Sequence, residues 1–322
     1  MTSFKPCMLA ALLATSPLAA LAAYPEQPIR LVVPHPAGGS SDILARTMAV
    51  AMSKDLGQSI VVENKGGGNG AIAAQSVASA KPDGYTLLLA TASTHGINPT
   101  LYKKLSYDAV KDFSPVTLFA TVPNVLVVGN NHKNMKGLED LIQYMKDNPG
   151  KTNMGSAGSG TPGHLAGVML KDAGHLDLVH VPFKGGARAI SALIGGQIDF
   201  LFTTIPGAIS HIKAGSIKGL AVSSAARSDA LPDLPTVAES GVPGFEAVSW
   251  HGLVAPANTP KDVIDTLYQS ASKALNSEAV KSKLAQEGAR PAKMNPTEFG
   301  AFIQAQIATW GKAVESSGAR AD

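Results

Sequence analysis

Short apolar runs alternate with longer amphipathic segments along this chain, and the first such pair is the clearest. Ile29–Val33 is apolar apart from one arginine, which predicts a buried strand. Residues 34–39 then contain two prolines, which fix φ, and two glycines, which allow positive φ, so we expect a sharp turn. Apolar residues recur at helical spacing over residues 43–52, and Ser40 or Ser41 is placed to cap the start of that helix.

The same alternation continues to the end of the chain. Further strands are predicted at residues 59–63, 86–90, 126–128, 153–155, 177–181, 198–203 and 250–255. Helices are predicted at residues 71–80, 138–147, 187–195, 261–275, 278–287 and 296–315. Alternation of this kind favours an α/β fold with a mainly parallel sheet, whose ligands lie beyond the carboxyl ends of the strands.

Two glycine- and serine-rich turns, one in each of two successive α/β units, predict a binding cleft. The first is residues 34–41, and the second lies in GSAGSGTPGHLAG, residues 155–167. Each leaves backbone N–H groups at the positive end of a helix dipole, an arrangement suited to an anion such as a carboxylate. An ordinary β–α turn would show the same pattern. The loops at residues 37–42, 93–98, 156–161 and 203–204 add hydroxyls and amides but few charges, which favours holding a ligand over reacting with it.

Composition narrows the class of protein. The chain has 322 residues, 45% of them hydrophobic and 16% charged, which is enough for a sizeable core and indicates two domains. Its formal net charge is only +3, without a basic cluster, so nucleic acid is not expected as a partner.

The N-terminus has the features of a secretory signal. Lys5 precedes an apolar stretch at residues 8–21, and Ala20-Leu21-Ala22 is a small-x-small cleavage pattern. We therefore expect residues 1–23 to be removed and the protein to be periplasmic. The single cysteine, Cys7, lies in this leader, so no disulfide or thiol chemistry is expected in the mature chain.

Enzyme and cofactor signatures are weak. Neither an HExxH helix nor a Walker A lysine loop occurs, and neither Ser156 nor Ser159 fits GxSxG. Residues 66–71, GGGNGA, match a loose dinucleotide-binding loop but lack an acidic residue at a following strand end, so a helix-start turn is favoured. A hydrolase using Ser159 with His164 stays as a minor alternative, since no aspartate is placed to orient the histidine. No cofactor is expected.

The histidines do not show the spacing of metal ligands, and no metal site is expected. His35, His95 and His164 are assigned to loops at the cleft. Asp42 and Arg46 lie one helical turn apart, which favours a local ion pair. Surface, turn or packing roles are assigned to the other histidines, His132, His175, His180, His211 and His251. Trp250 and Trp310 are assigned to packing in the core.

The chain resembles the Bug-type periplasmic receptors of tripartite tricarboxylate transporters over essentially its whole mature length. The matching segments include PHPAGGSSDILAR, VVENKGGGNG, THGINPTLYKKLSYDAVKDFSPV, GSAGSGTPGHLAG, VHVPFKGGARAISALIGGQIDF, RSDALPDLPTVAESGVPGF and WHGLVAPANTP. The resemblance implies a type II periplasmic-binding-protein fold, in which two α/β lobes joined by crossing strands close on a ligand. Lobe 1 would comprise residues 24–124 and 249–322, and lobe 2 residues 125–248.

The resemblance also implies which residues hold the ligand. In lobe 1 these are Ala37, Gly39, Ser40, Ser41, Asp42, Ser93, Thr94 and His95. In lobe 2 they are Ser156, Gly158, Ser159, Thr161, His164, Lys184, Gly185 and Thr203. His35 is added to the candidate ligand-binding residues because its loop is placed at the cleft.

Five positions depart from the common pattern of the family. His35 stands where an aromatic residue is frequent, and Phe183 stands where a tyrosine is common. Ser191 replaces a usual aspartate, and Thr203-Thr204 replaces a turn that is frequently acidic. The loss of two carboxylates would make lobe 2 more favourable to anions if these positions face the cleft.

The sequence therefore predicts an exported, non-enzymatic receptor that captures a small organic anion: a carboxylate, an acidic amino acid or an aromatic acid. Its expected partners are the ligand and the integral-membrane permease subunits of a tripartite transporter, and we expect a monomer. The alternative is a sensor that presents its ligand to a membrane signalling protein, because both roles use the same closing trap.

Overall fold

A computed structural model describes residues 24–321, and the predicted leader lies outside the described residues. Ten strands form a mixed sheet. They are β1 (Ile29–Val33), β2 (Ile60–Asn64), β3 (Thr86–Thr91), β4 (Phe113–Val128), β5 (Asn153–Ser156), β6 (Val179–Pro182), β7 (Phe200–Thr204), β8 (Lys218–Val222), β9 (Val248–Pro256) and β10 (Arg290–Pro291).

Ten α-helices accompany the sheet within the described residues. They are α1 (Ser40–Leu56), α2 (Ala71–Ala78), α3 (Asn98–Leu101), α4 (Leu138–Asp147), α5 (Pro162–Gly174), α6 (Gly186–Ile194), α7 (Ile205–Lys213), α8 (Lys261–Asn276), α9 (Glu278–Gln286) and α10 (Pro296–Ser317). No helix in residues 24–321 combines the length and the apolar character needed to cross a bilayer.

The sheet consists of two strand groups that share β4. The first group has the order β2-β1-β3-β9-β4, with β10 also paired to β4. The second group has the order β4-β7-β5-β6, with β8 also paired to β4. Within each group the outer strands are parallel, whereas β9 and β4 run antiparallel to their neighbours.

Most predicted elements are present, with small shifts of their ends. The largest difference is β4, which begins at Phe113 and not at residue 126. Pro115 and Pro123 interrupt the apolar pattern there, and a proline cannot donate to a ladder. The structure accommodates Pro115 beside a shift in register with β9, so the strand continues past it.

Four elements were not predicted: the short α3 and β10, together with α7 and β8. Pro206 and Gly207 near the start of α7 have the composition of a turn, but proline is tolerated in the first turn of a helix. The prediction of a mainly parallel sheet was also incomplete, because β4 and β9 place antiparallel pairs at its centre.

Buried aromatic and aliphatic side chains fill both faces of the sheet. Trp250 and Trp310 are fully buried, which confirms their assignment to packing. α10 lies against β4 and also packs on α5, where Ser316 bonds to Asp172. The expected lobe boundaries, after residue 124 and before residue 249, fall within β4 and at the start of β9. The division into lobes stays a prediction.

Candidate functional site

The carboxyl ends of the parallel strands in the two groups point toward each other along β4. The last residue of β3, Thr91, pairs with His251 of β9, and His251 in turn pairs with Ala120 of β4. β7 approaches from the opposite direction and ends at Thr204, level with Asn124 of β4. Only residues 120 to 124 of β4 separate the two levels, roughly 13 Å of extended chain. Loops from both groups therefore meet over one short stretch.

Four helices begin at these facing edges, namely α1 in the first group and α5, α6 and α7 in the second. No side chain caps the first turn of any of them, in contrast to Ser277 at α9 and Asn295 at α10. Their first N–H groups are therefore available to an anion. The expectation that Ser40 or Ser41 caps α1 is wrong: the helix begins at Ser40, and Gly39 occupies the capping position.

The carboxylate of Asp42, in the first turn of α1, is bonded to the preceding turn and to Arg46. The Gly38 N–H donates to Asp42 Oδ2 at 2.8 Å, and Arg46 Nε lies 2.9 Å from Asp42 Oδ1. Burial alone would raise the pKa of Asp42, but Gly38, Arg46 and the Asn64 side chain together hold it below its ordinary value. The expected local ion pair is confirmed, and Asp42 serves the turn. Ala37 and Gly39 are exposed at the edge.

Beside the start of α1 lie two histidines and two serines. Ser41 Oγ is 2.9 Å from His251 Nε2, whereas Ser40 Oγ and the Nδ1 atoms of His35 and His251 are buried without a partner among the described residues. Burial lowers the pKa of His35 to about 4, and burial together with the neighbouring His35 lowers that of His251 to about 3. Both rings are therefore neutral at pH 7.

The loop after β3 is buried at the carboxyl edge of the first strand group. It forms a wide helical turn, Ser93–Ile97, in which Thr94 and His95 are completely buried. Thr94 Oγ1 lies 2.9 Å from His95 Nδ1, and the His95 ring packs edge-on against Phe113 at 4.7 Å. Burial lowers the pKa of His95 to about 3. Thr94 and His95 hold the turn in shape, and Ser93 is also buried.

In the second group, the loop between β5 and α5 folds on itself. Ser156 Oγ lies 2.7 Å from His180 Nε2 and accepts the Gly158 N–H at 3.1 Å. Thr161 Oγ1 donates to Gly158 O at 2.7 Å. These bonds leave Ser159 exposed at the tip of the loop.

His164 and His180 form a stacked pair under this loop. Their ring centroids are 3.8 Å apart, and the planes are inclined by 25°. His164 Nδ1 accepts the Gly160 N–H at 3.2 Å, which requires this nitrogen to be unprotonated. Burial, reinforced by His180, lowers the pKa of His164 to about 4. His164 therefore anchors the loop, and its Nδ1 is not available to Ser159.

The remaining predicted residues follow β6 and β7. Lys184 is exposed in the loop before α6, and the Gly185 N–H donates to Ala157 O at 3.0 Å, which ties this loop to the one after β5. Thr203 is buried at the end of β7, where α7 begins. All of the predicted second-group residues thus lie at one edge.

The two strand groups touch on one side of the site. Asn69 Nδ2 donates to Asn98 Oδ1 at 3.0 Å and also reaches Gly160 O at 3.3 Å across the gap. The Leu101 side chain lies against Gly160 at the same place.

The sequence did not identify the site roles of His180, His251, Asn69 and Asn98. His251 and His180 lie within strands, and each bonds to a serine distant in the chain. The sequence signal that could have placed His251 is the alternation of residues along a strand. His251, Leu253 and Ala255 lie on the same face of β9, and α1 covers that face.

A cofactor or metal finds little support in the described residues. The glycine loop before α2 is needed for close packing: a Cβ on Gly70 would lie 2.7 Å from Thr94 Cγ2 and 2.8 Å from Pro34 Cβ. Within residues 24–321 no group of three histidine, cysteine or acidic side chains could hold a metal ion.

Comparison with known proteins identifies relatives of the whole chain. BugT of Bordetella pertussis is 34% identical over 298 residues, covering 92% of this chain and 91% of BugT. A structure from R. palustris with adipate has a TM-score of 0.84 and 35% identity, covering 92% of this chain and 98% of that one. MatC of Rhodopseudomonas palustris with bound malate has a TM-score of 0.79 and 34% identity, covering 90% and 100%.

The fold is that of periplasmic binding proteins such as BugD, whose structure has a TM-score of 0.80 and 37% identity, as the sequence resemblance implied. Proteins of this kind are substrate-binding receptors rather than enzymes. The model of the family named TctC, tripartite tricarboxylate transporter family receptor, matches residues 44–319. This chain therefore belongs to the family of tripartite tricarboxylate transporter receptors.

Proposed function

We propose that this protein is an exported receptor that captures a small organic carboxylate between its two strand groups and delivers it to a membrane permease. The observation that carries the proposal is the meeting of two carboxyl edges between residues 120 and 124 of β4, with four uncapped helix starts opening there. Such helix starts offer N–H donors and positive dipole ends to an anion from both sides.

The chemistry of the loops supports an anionic ligand. Ser41 and Ser159 supply hydroxyls, the exposed Lys184 supplies a positive charge, and Asp42 is neutralised by Arg46. Hydrogen bonds to a charged group contribute about 1.5–3 kcal/mol each. A handful of them is sufficient for micromolar affinity, which corresponds to about −8 kcal/mol.

The relatives point to the ligand class. Two structures of similar overall fold hold adipate and malate, and both of these ligands are dicarboxylates. A ligand with two acidic ends suits a site with N–H donors on two facing edges. We assign one carboxylate to the start of α1 and the other to the loop before α5.

The cellular setting follows from the family and the leader. Removal of residues 1–23 would release a monomer into the periplasm, with lobe 1 as residues 24–124 and 249–322 and lobe 2 as residues 125–248. Closure of the lobes on the ligand would create the form that the permease subunits of a tripartite transporter recognise.

A thermal-shift screen tests this function. Malate, adipate, citrate, aspartate and nicotinate are compared with uncharged controls, such as hexanediamide and hexanediol for adipate. A ligand at about 100 times its Kd stabilises the folded state by about 2.7 kcal/mol, so a rise of several degrees in Tm is expected for at least one acid. If no acid raises Tm, or if hexanediamide matches adipate, the carboxylate proposal fails.

A further inference from the structure

His251 is a buried polar residue in a central strand of the sheet. It lies in β9 between β3 and β4, is only 5% exposed, and has the Phe119 ring 6.4 Å away between centroids. Its Nε2 atom is 2.9 Å from Ser41 Oγ, whereas its Nδ1 atom is buried without a partner among the described residues. One ring nitrogen therefore bonds to the serine, and the other has no hydrogen-bond partner among the described residues.

This asymmetry decides where the single proton of a neutral ring lies. A proton on Nδ1 would bury an N–H donor without an acceptor, a situation that is rare in folded proteins. A proton on Nε2 instead donates to Ser41 Oγ and leaves Nδ1 as an unused acceptor. The ring is neutral at pH 7 because burial and the neighbouring His35 lower its pKa to about 3.

The tautomer in turn decides what Ser41 offers to a ligand. A hydroxyl has one hydrogen and two lone pairs. If Ser41 donated to His251, only lone pairs would face the site, and they would repel a carboxylate. If His251 donates to Ser41, the hydroxyl hydrogen is free to donate to an anion.

We infer that His251 is a positioning residue whose Nε2–H donates to Ser41 Oγ and thereby makes Ser41 a donor toward a ligand carboxylate. Its effect on the ligand rests on the proposed function, whereas the tautomer is a property of the free protein. The two parts can therefore be tested separately.

The tautomer is tested without any ligand. Long-range ¹H–¹⁵N correlation spectra of the ¹⁵N-labelled protein at pH 7 distinguish protonated from bare ring nitrogens, and His251→Gln assigns the His251 signals by their loss. We expect a protonated Nε2 and a bare Nδ1. A protonated Nδ1, alone or together with Nε2, would overturn the inference.

The effect on Ser41 is tested by a double-mutant cycle with malate and adipate, measured by titration calorimetry. His251→Leu removes the donor and is expected to weaken binding about tenfold or more, the value of a bond to a charged group. In Ser41→Ala the same change should have no further effect, because His251 acts only through Ser41. Losses that add in the double variant would show that His251 acts independently of Ser41.

Two further variants separate positioning from folding. His251→Gln places an amide N–H near the position of Nε2 and is expected to keep the affinity within roughly threefold. His132→Gln removes another buried histidine, one that lies 2.7 Å from Asp199, and should change stability without changing affinity. A loss of affinity in H132Q equal to that in H251L would contradict the inference. If the wild-type protein binds neither acid, the assignment of malate- or adipate-like ligands fails, and the NMR result still decides the tautomer.

Discussion

The buried histidines of the candidate site are uncharged at pH 7. His35, His164 and His251 have pKa values of about 4, 4 and 3 because burial disfavours their charged forms. They therefore add no positive charge at pH 7. In the proposed site, attraction for a carboxylate is assigned instead to N–H groups, hydroxyls and the exposed Lys184.

Sequence reasoning identified part of this set. His35 and His164 lie within the two glycine- and serine-rich segments, so their loops could be assigned to the cleft. His251 and His180 could not be assigned, because their partners, Ser41 and Ser156, are defined by strand register and helix packing. The complete burial of Thr94 and His95 was also not evident, since it depends on Tyr107 and Phe113 folding over the turn.

At the residue scale, we predict that Ser159→Ala weakens binding of malate or adipate without lowering Tm. The hydroxyl is exposed at the loop tip, and its loss removes a bond to a charged group, which corresponds to roughly 10- to 150-fold in Kd. Titration calorimetry measures the effect. Thr266→Ala, which deletes an exposed hydroxyl on α8, is the control and should bind as the wild type does. Equal affinities for S159A and the wild type would remove Ser159 from the site.

The elements at the two edges differ in how well the sequence predicts them. β1 and α1 were predicted closely because apolar pattern, proline, glycine and helical spacing agree over one short segment. The length of β4 was missed because its prolines interrupt the local pattern, whereas its pairing with β9 depends on residues more than 100 positions away. Non-local pairing of this kind leaves no local signal.

At the element scale, the contact between the strand groups at Gly160 is predicted to matter for binding. Gly160 has φ of +72°, and a Cβ there would lie 2.5 Å from Leu101 Cδ2. Gly160→Ala should therefore both strain the loop and push the groups apart, lowering the affinity for malate or adipate.

Gly215 provides a matched control for this variant. It has φ of +69° but no atom within 4 Å of its Cβ position, so Gly215→Ala introduces the same backbone strain without a clash. Both variants should lose about 1 kcal/mol or more of unfolding free energy, as measured in urea. Only G160A should bind more weakly; equal affinities for the two would show that the contact is not part of closure.

The whole molecule combines two strand groups through β4, β9 and the long helix α10. The alternation of strands and helices predicts the α/β class, and the family resemblance adds the fold of a periplasmic binding protein. The facing of the two edges could not be read from local sequence, because it arises from the opposite directions in which β3 and β7 approach β4.

At this scale we predict that stability falls as pH decreases from 6.5 toward 5. His35, His95, His164 and His251 are neutral in the folded protein down to about pH 4, whereas in the unfolded chain they gain protons below about pH 6.5. The unfolded state thus binds more protons, and each such histidine costs about 2 kcal/mol at pH 5.

Urea unfolding between pH 7.5 and 5 measures this dependence. The slope of unfolding free energy against pH should be near zero above pH 7 and positive below 6.5. His95→Gln should reduce the proton uptake on unfolding by about one. A constant free energy of unfolding across this range would show that the rings are not buried in their neutral form.

The most direct test of the carboxylate site is native mass spectrometry of protein purified without denaturation, before and after addition of malate, adipate and the other acids. We predict a one-to-one adduct with the mass of a small organic acid, either carried through purification or formed on addition. The adduct should be depleted in the Ser41→Ala/Ser159→Ala double variant, which is expected to fold normally. A folded wild-type protein that shows only its own mass in the presence of every acid would contradict the account.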